Sequence, residues 1–199
     1  MKQDSKEAIF EGVLELLNKE AILDISVSKL KKHTGLSTGT FYYHFPGGIE
    51  DIYKSLFIKL STKIRNRAFV AASSARSIEQ TLNDLVCIYF GWHKNEVRES
   101  DFFWKATMSG FQEIRELLVS EYEILSTRIY EVLIKQAELE NIRIVDRHIL
   151  DAILFGAARE LVHSWIGRGR DEKEFDLLKQ QFIKTLNRAC IIGTPCEIQ

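Results

Sequence analysis

Apolar residues recur along the chain at intervals of three and four, and short polar breaks cut the pattern into helices. Phe10, Val13, Leu14 and Leu17 stand at the i, i+3, i+4, i+7 spacing of one helical face, and Asp4 with Glu7 three residues later opens that helix as a capping box. A second helix starts at Ser26, turns Val27 and Leu30 inward, and stops at Gly35, where a left-handed C-cap costs least. Ser37 caps a third, running from Thr38 to about Phe45, and Pro46-Gly47-Gly48 breaks the chain. The fourth carries Ile49, Ile52, Leu56, Leu60 and Ile64 on one side. Further helices are predicted near 77–95, 100–107, 111–139, 146–167 and 172–191. No stretch alternates with period two for long enough to propose a sheet, and there is no internal repeat. The predicted class is all-α: an N-terminal unit of three helices (1–48) and a larger C-terminal helical bundle (49–199), with the helix 49–70 as connector.

The helix at 146–167 is apolar on more than one side. Ile149, Ile153, Ala157, Leu161 and Trp165 form one strip facing inward, and Leu150, Leu154, Ala158 and Val162 a second. A helix apolar nearly all round must be covered on nearly all sides, which a chain of 199 residues does most simply by forming a homodimer through this helix and the last one.

Within the N-terminal unit, two short helices joined at Gly35-Leu36-Ser37 form a helix-turn-helix pattern. Leu30 and Leu36 pack the first helix and the turn. Phe41 and Phe45 seat the second on Phe10, Val13 and Leu17. At about 100° per residue, Gly39, Tyr42 and Tyr43 then fall on another face from Phe41 and Phe45. That outward face has a bare backbone, hydroxyls and flat rings, with no charge. Such a surface suits close approach to a nucleic-acid groove, with Tyr and His reaching phosphate oxygens.

Charge adds one feature. The 27 basic and 28 acidic residues nearly balance, but residues 1–66 hold 10 and 8, leaving 17 and 20 for the rest, so the net charges are +2 and −3. Residues 26–48 contain Lys29, Lys31, Lys32 and two histidines without a single acid, a hint of a polyanion-binding surface. No run of 18 apolar residues is present, so no membrane span is predicted. The start, MKQDSKEAIFEGVLELL, is interrupted by Asp4, Glu7, Glu11 and Glu15, which neither signal nor transit peptides carry. Three widely spread cysteines (Cys87, Cys190 and Cys196) without a CxxC speak against a disulfide framework or structural zinc. A reducing cytoplasm is the expected setting.

The segment VSKLKKHTGLSTGTFYYHFPGGIEDIY resembles the helix-turn-helix of the TetR/AcrR family of one-component bacterial regulators. The match runs through about residues 5–60 and is densest in GLSTGTFYYHF. The resemblance implies a homodimer that binds a palindromic double-stranded DNA operator, usually as a repressor, and releases it when a small-molecule effector enters the C-terminal bundle. It places Thr38, Gly39 and Tyr42 near bases, and Ser37, Thr40, Tyr43 and His44 on the phosphate backbone. Three positions depart from the family pattern. Ala21 replaces a glycine that usually closes the first helix. Lys31 replaces a small residue and must snorkel outward. Gly48 replaces a lysine that usually grips a phosphate, leaving backbone N–H groups at the start of the fourth helix as a substitute.

The aromatic cluster Tyr89, Trp92, His93, Phe102, Phe103, Trp104, Met108 and Phe111 reads either as bundle core or as the lining of an apolar cavity between helices. From it, Trp92, Phe103, Trp104, Met108 and Phe111 are candidate effector contacts for a hydrophobic or amphipathic molecule. Arg159 and His163, four apart on an otherwise apolar helix, are candidate polar anchors, or simply face solvent or a partner subunit. An enzyme is not expected, because HExxH, G-x-S-x-G, P-loop and G-x-G-x-x-G patterns are all missing. His148 with Asp151, and His93 with Glu96, have no third partner and read as polar pairs. No catalytic residue, metal ligand or cofactor is assigned. Two rival readings remain: a helical small-molecule-binding protein whose helix-turn-helix no longer reads DNA, and an all-helical enzyme, which would need a metal or cofactor for which the sequence offers no ligand set.

Overall fold

A computed structural model describes residues 5–193 of the chain. Its helices are α1 Ser5–Leu16, α2 Val27–Thr34, α3 Thr38–His44, α4 Ile49–Ser74, α5 Ile78–Asn95, α6 Val97–Met108, α7 Gln112–Glu140, α8 Arg147–Asp151, α9 Ala158–Gly167 and α10 Glu172–Cys190. A 3-10 turn at Ile22–Asp24 precedes α2, and a π-helical stretch, Ala152–Ala157, joins α8 to α9. The class is all-α, as predicted, and the helix ends fall within about four residues of those read from the apolar pattern, α4 running to Ser74 rather than 70. Asp4 and Cys196 lie outside the described residues.

The chain forms two compact units. The first holds the residues up to Lys63 together with Glu96–Glu121, and the second holds Ile64–Asn95 together with the residues from Tyr122 onward. Helices α4 and α7 each run through both. This grouping by contact draws its lines elsewhere than the division at residue 48, because α6 and the start of α7 pack with the first three helices.

In the first unit, Ile9, Phe10 and Val13 of α1 meet Leu30 of α2, Phe41 of α3, and Phe45, all buried. Each such side chain removed from water contributes about 1.5–3 kcal/mol. Phe10 and Phe45 lie 5.7 Å apart, ring to ring, and Lys6 and Lys59 place their ammonium groups 5.8 and 5.2 Å from the Phe10 ring. From α4, Ile52, Tyr53, Leu56 and Phe57 complete the core with Phe102 of α6. The buried Tyr53 hydroxyl donates to the Ile22 carbonyl at 2.7 Å, tying α4 to the 3-10 turn.

In the second unit, Phe90 of α5 packs on Phe175 and Phe182 of α10 at 5.0 and 6.0 Å, and Trp165 of α9 stacks on Phe175 at 3.8 Å. The inward strip of the 146–167 segment differs from the predicted one. Leu150, Leu154, Ala158, Val162 and Trp165 are buried, whereas Ile149 is 52% exposed and Ile153, Ala157 and Leu161 are half-buried. The two strips are equally apolar, so periodicity alone does not choose between them. Two short strands, β1 Arg143–Ile144 and β2 Ile191–Ile192, pair antiparallel. They were not predicted, since two residues are too few to display a period of two.

Candidate nucleic-acid interface

The helix-turn-helix is fixed by its own capping chemistry. The Ser26 hydroxyl oxygen accepts the Lys29 N–H at 3.3 Å and opens α2. Gly35 ends it at φ 71°, with its N–H donating to the Lys31 carbonyl at 2.9 Å. The Ser37 hydroxyl oxygen accepts the Thr40 N–H at 3.1 Å and opens α3. Leu36 is half-buried against the core between them.

With Phe41 and Phe45 buried, α3 turns Thr38, Gly39, Tyr42 and Tyr43 outward, all exposed. Tyr42 is 50% and Tyr43 81% exposed, large values for aromatic side chains on a well-packed unit. Gly39 is not demanded by packing: an added Cβ would meet nothing closer than the Ser37 hydroxyl at 3.7 Å. A glycine inside a helix costs about 1 kcal/mol against alanine, and packing within the chain does not account for it here. Ser37 and Thr40 share a hydroxyl contact of 2.9 Å beside them. His44 is half-buried, and its Nε2 lies 2.7 Å from the Ser5 hydroxyl, which fixes the ring against α1. Sequence reasoning did not find Ser5, because nothing local marks a partner 39 positions away.

Just before α4, two backbone donors are already committed. Gly47 donates its N–H to the Asp51 carboxylate at 2.5 Å, and Gly48, at φ 74°, donates to the Phe45 carbonyl at 2.9 Å. Glu50 and Asp51 also bring negative charge to that helix end. Lys31 is exposed, as its length requires, and Ala21 is an exposed residue preceding the 3-10 turn.

The candidate effector residues are divided between the two units. Phe103, Trp104, Met108 and Phe111 belong to the first unit, and Trp92, Arg159 and His163 to the second. Phe103 stacks on Phe57 at 4.5 Å and packs against the core. Trp104 is half-buried and Met108 is exposed. Phe111 lines an open cavity of about 220 Å³ with Tyr53, Ile114 and the Lys54–Glu113 ion pair. In the second unit Trp92 is buried, while Arg159 and His163 are exposed.

The second unit also brings together a polar cluster in which Tyr89, His93, Arg159 and Asp151, read separately in the sequence, are joined by Tyr122 and Ser126. His93 is buried, and neither ring nitrogen has a hydrogen-bond partner among the described residues. Burial, reinforced by the charge of Arg170, lowers its pKa to about 4. Tyr89 meets the His93 ring edge-on at 4.8 Å, and burial holds its phenol well above the ordinary tyrosine value, opposed by Arg159. Arg159 acts in the same sense on Tyr122, whose phenol burial and the Asp151 carboxylate push up to about 12. Asp151 is itself buried and accepts from the Ser126 hydroxyl at 2.5 Å. Next to it runs the π-helical stretch, a departure from regular helix often found at functional sites.

A capped helix-turn-helix with an outward aromatic face, followed among the described residues by helices and one two-residue ladder, defines a helix-turn-helix protein of all-α architecture. No protein-family model matches the chain, and no curated protein matches it in sequence. Solved structures do match it. The fatty acid degradation regulator FadR from Bacillus halodurans is 19% identical, with a TM-score of 0.79 over 94% of this chain and 96% of that one. FadR from Bacillus subtilis, solved in complex with stearoyl-CoA, is 18% identical, with a TM-score of 0.79 over 90% and 96%. The ketosteroid regulator KstR2 of Mycobacterium tuberculosis is 13% identical, with a TM-score of 0.71 over 96% of each chain. The chain has the fold of the TetR-family transcriptional regulators.

Proposed function

We propose that this chain is a DNA-binding transcriptional regulator of the TetR/AcrR type, a cytoplasmic homodimer that represses by occupying a palindromic operator. The observation that carries the proposal is the division of α3, whose Phe41 is buried while Thr38, Gly39, Tyr42 and Tyr43 are exposed. Thr38, Gly39 and Tyr42 approach base edges in the major groove, and Ser37, Thr40, Tyr43 and His44 hold the phosphate backbone. The two reading helices of the dimer then span one helical turn of DNA, about 34–36 Å. Residues 1–48 act as the reading domain and 49–199 as the effector and dimer domain. Ile149 and Leu177, more than half exposed on α8 and α10, supply apolar surface to the dimer.

The effector is an amphipathic molecule held in the second unit. Its anionic part meets Arg159 beside Tyr89 and Tyr122, and neutral His93 supplies a polar contact in otherwise aromatic surroundings. The stearoyl-CoA bound by the Bacillus subtilis protein is a molecule of this kind. Binding biases α4, which runs through both units, with a coupling of about 1–3 kcal/mol that also makes DNA weaken effector binding.

The test is a binding titration of Tyr42→Ala against the promoter duplex flanking the chain's own coding region. The variant is expected to bind at least tenfold more weakly than the parent. Equal affinity would remove Tyr42 from the interface, and no salt-sensitive binding by the parent at any promoter would favour a helical binding protein that no longer reads DNA.

A further inference from the structure

The first unit's cations are mostly committed. Lys29 pairs with Glu20 at 2.6 Å, Lys54 with Glu113 at 2.9 Å, and Lys59 with Glu7. Lys63 is held by Glu96 and, at 2.7 Å, by Glu99, while Arg98 lies 3.3 Å from Glu11. Lys105 donates to the Leu17 carbonyl at 3.1 Å. Lys19, in the turn after α1, and Lys31 and Lys32 differ: all three are exposed and among the described residues meet no acid or acceptor, but only Lys31 and Lys32 stand on the helix-turn-helix.

Their place on α2 is not arbitrary. Leu30 points into the core, and at about 100° per residue the two flanks of the helix diverge from it. On one flank lie Lys29 and His33, neutralised from α1 and the turn after it by Glu20 and by Glu15, whose carboxylate is 2.7 Å from His33 Nε2. On the other lie Val27 and, one turn later, Lys31. The Val27 methyl is 3.9 Å from where a Cβ on Gly48 would stand, so this flank borders the turn that follows α3. Helical side chains lean toward the N-terminus, which carries Lys31 back along Val27 toward that turn. Lys32 stands on the crest opposite Leu30. The free positive charge of α2 is therefore on the crest and the α3 flank, and the α1 flank is neutralised.

We infer that Lys31 and Lys32 bind DNA phosphates alongside α3, giving the interface its main electrostatic attraction. This rests on the DNA-binding function proposed above and adds residues that α3 lacks, since its exposed face is uncharged. Phosphate contacts are independent of sequence, so a mixed-sequence 30-base-pair duplex serves as the probe. Affinities of the parent, Lys31→Gln, Lys32→Gln and Lys29→Gln are measured by fluorescence anisotropy across a salt series, with helicity checked by circular dichroism. Each lost phosphate contact lowers the slope of log affinity against log salt by about 0.9, and weakens binding about eightfold at 0.1 M salt when the lines converge at 1 M. Lys31→Gln and Lys32→Gln are expected to show this, and Lys29→Gln, already paired in the chain, is not. A parent that binds with unchanged slopes in Lys31→Gln and Lys32→Gln overturns the lysine assignment while leaving the regulator intact. A parent with no salt-sensitive binding overturns both.

Discussion

At Gly12, α1 lies tight against α2, and a single methyl group tests how closely the helix-turn-helix is packed on it. A Cβ at Gly12 would stand 2.8 Å from the Thr34 methyl and 3.4 Å from a Leu30 methyl. Thr34 is not free to rotate away, because its hydroxyl donates to the Leu30 carbonyl at 2.9 Å and accepts the Leu36 N–H at 3.3 Å. Two effects compete in Gly12→Ala. Helix propensity favours alanine by about 0.8–1.0 kcal/mol. Overpacking costs about 1–3 kcal/mol. The steric effect wins, and Gly12→Ala is expected to lose about 1 kcal/mol. Thr34→Ser removes the offending methyl and keeps both hydrogen bonds, so in that background Gly12→Ala should instead gain about 1 kcal/mol. The coupling in the double-mutant cycle is then about 2 kcal/mol. Urea unfolding followed by far-ultraviolet circular dichroism measures it, with midpoints compared at constant slope. An alanine effect of the same sign in both backgrounds would refute the close approach as the reason for a glycine here.

Two other outcomes follow from the second unit. His93 favours its neutral form when folded, since its pKa falls from 6.5 to about 4. Between those values the unfolded chain binds more protons, so the contribution of His93 to stability is complete above pH 6.5 and is lost as pH falls toward 4. At about 1.4 kcal/mol per tenfold change in proton affinity, the loss is at most about 3–4 kcal/mol. His93→Phe should flatten that part of the pH profile of urea midpoints, and an unchanged slope would refute it. Leu177→Asp combined with Ile149→Asp should shift the sedimenting mass from dimer to protomer, and a dimer that persists at micromolar concentration would place the interface elsewhere.

The helix-turn-helix is legible in sequence because its determinants are local. Ser26, Gly35 and Ser37 start and stop two helices within a dozen residues, and the 3.6-residue period then separates Phe41 and Phe45 from Tyr42 and Tyr43. The candidate effector residues are not legible in this way. An aromatic side chain that fills a core and one that lines a pocket satisfy the same spacing, which is why Phe103 stacks on Phe57 while Met108 faces outward. Partnerships across long separations leave no local trace either: Ser5 with His44, and β1 with β2, are set by tertiary packing. The π-helical stretch is likewise invisible, because AILFGA satisfies an α-helical pattern equally well.

On the proposed function, the two helices of the motif divide the work of binding between affinity and selectivity. The exposed side of α3 has hydroxyls, rings and one bare backbone position, groups that discriminate by fit and hydrogen bonding and whose contacts are weakly screened by salt. The crest of α2 has Lys31 and Lys32, whose attraction to phosphate is strong, sequence-independent and steeply screened. Substitutions on the two helices therefore have different consequences. Loss of Tyr42 lowers the ratio of specific to non-specific affinity and leaves the salt slope unchanged. Loss of Lys31 lowers both affinities in the same proportion and reduces the slope. With an uncharged reading surface, specific binding can be weakened by a small displacement of α3, because no long-range attraction on that helix holds it in the groove. On that proposal, an effector that moves the reading heads by a fraction of a base-pair rise removes selectivity first, and the chain remains loosely on DNA through α2.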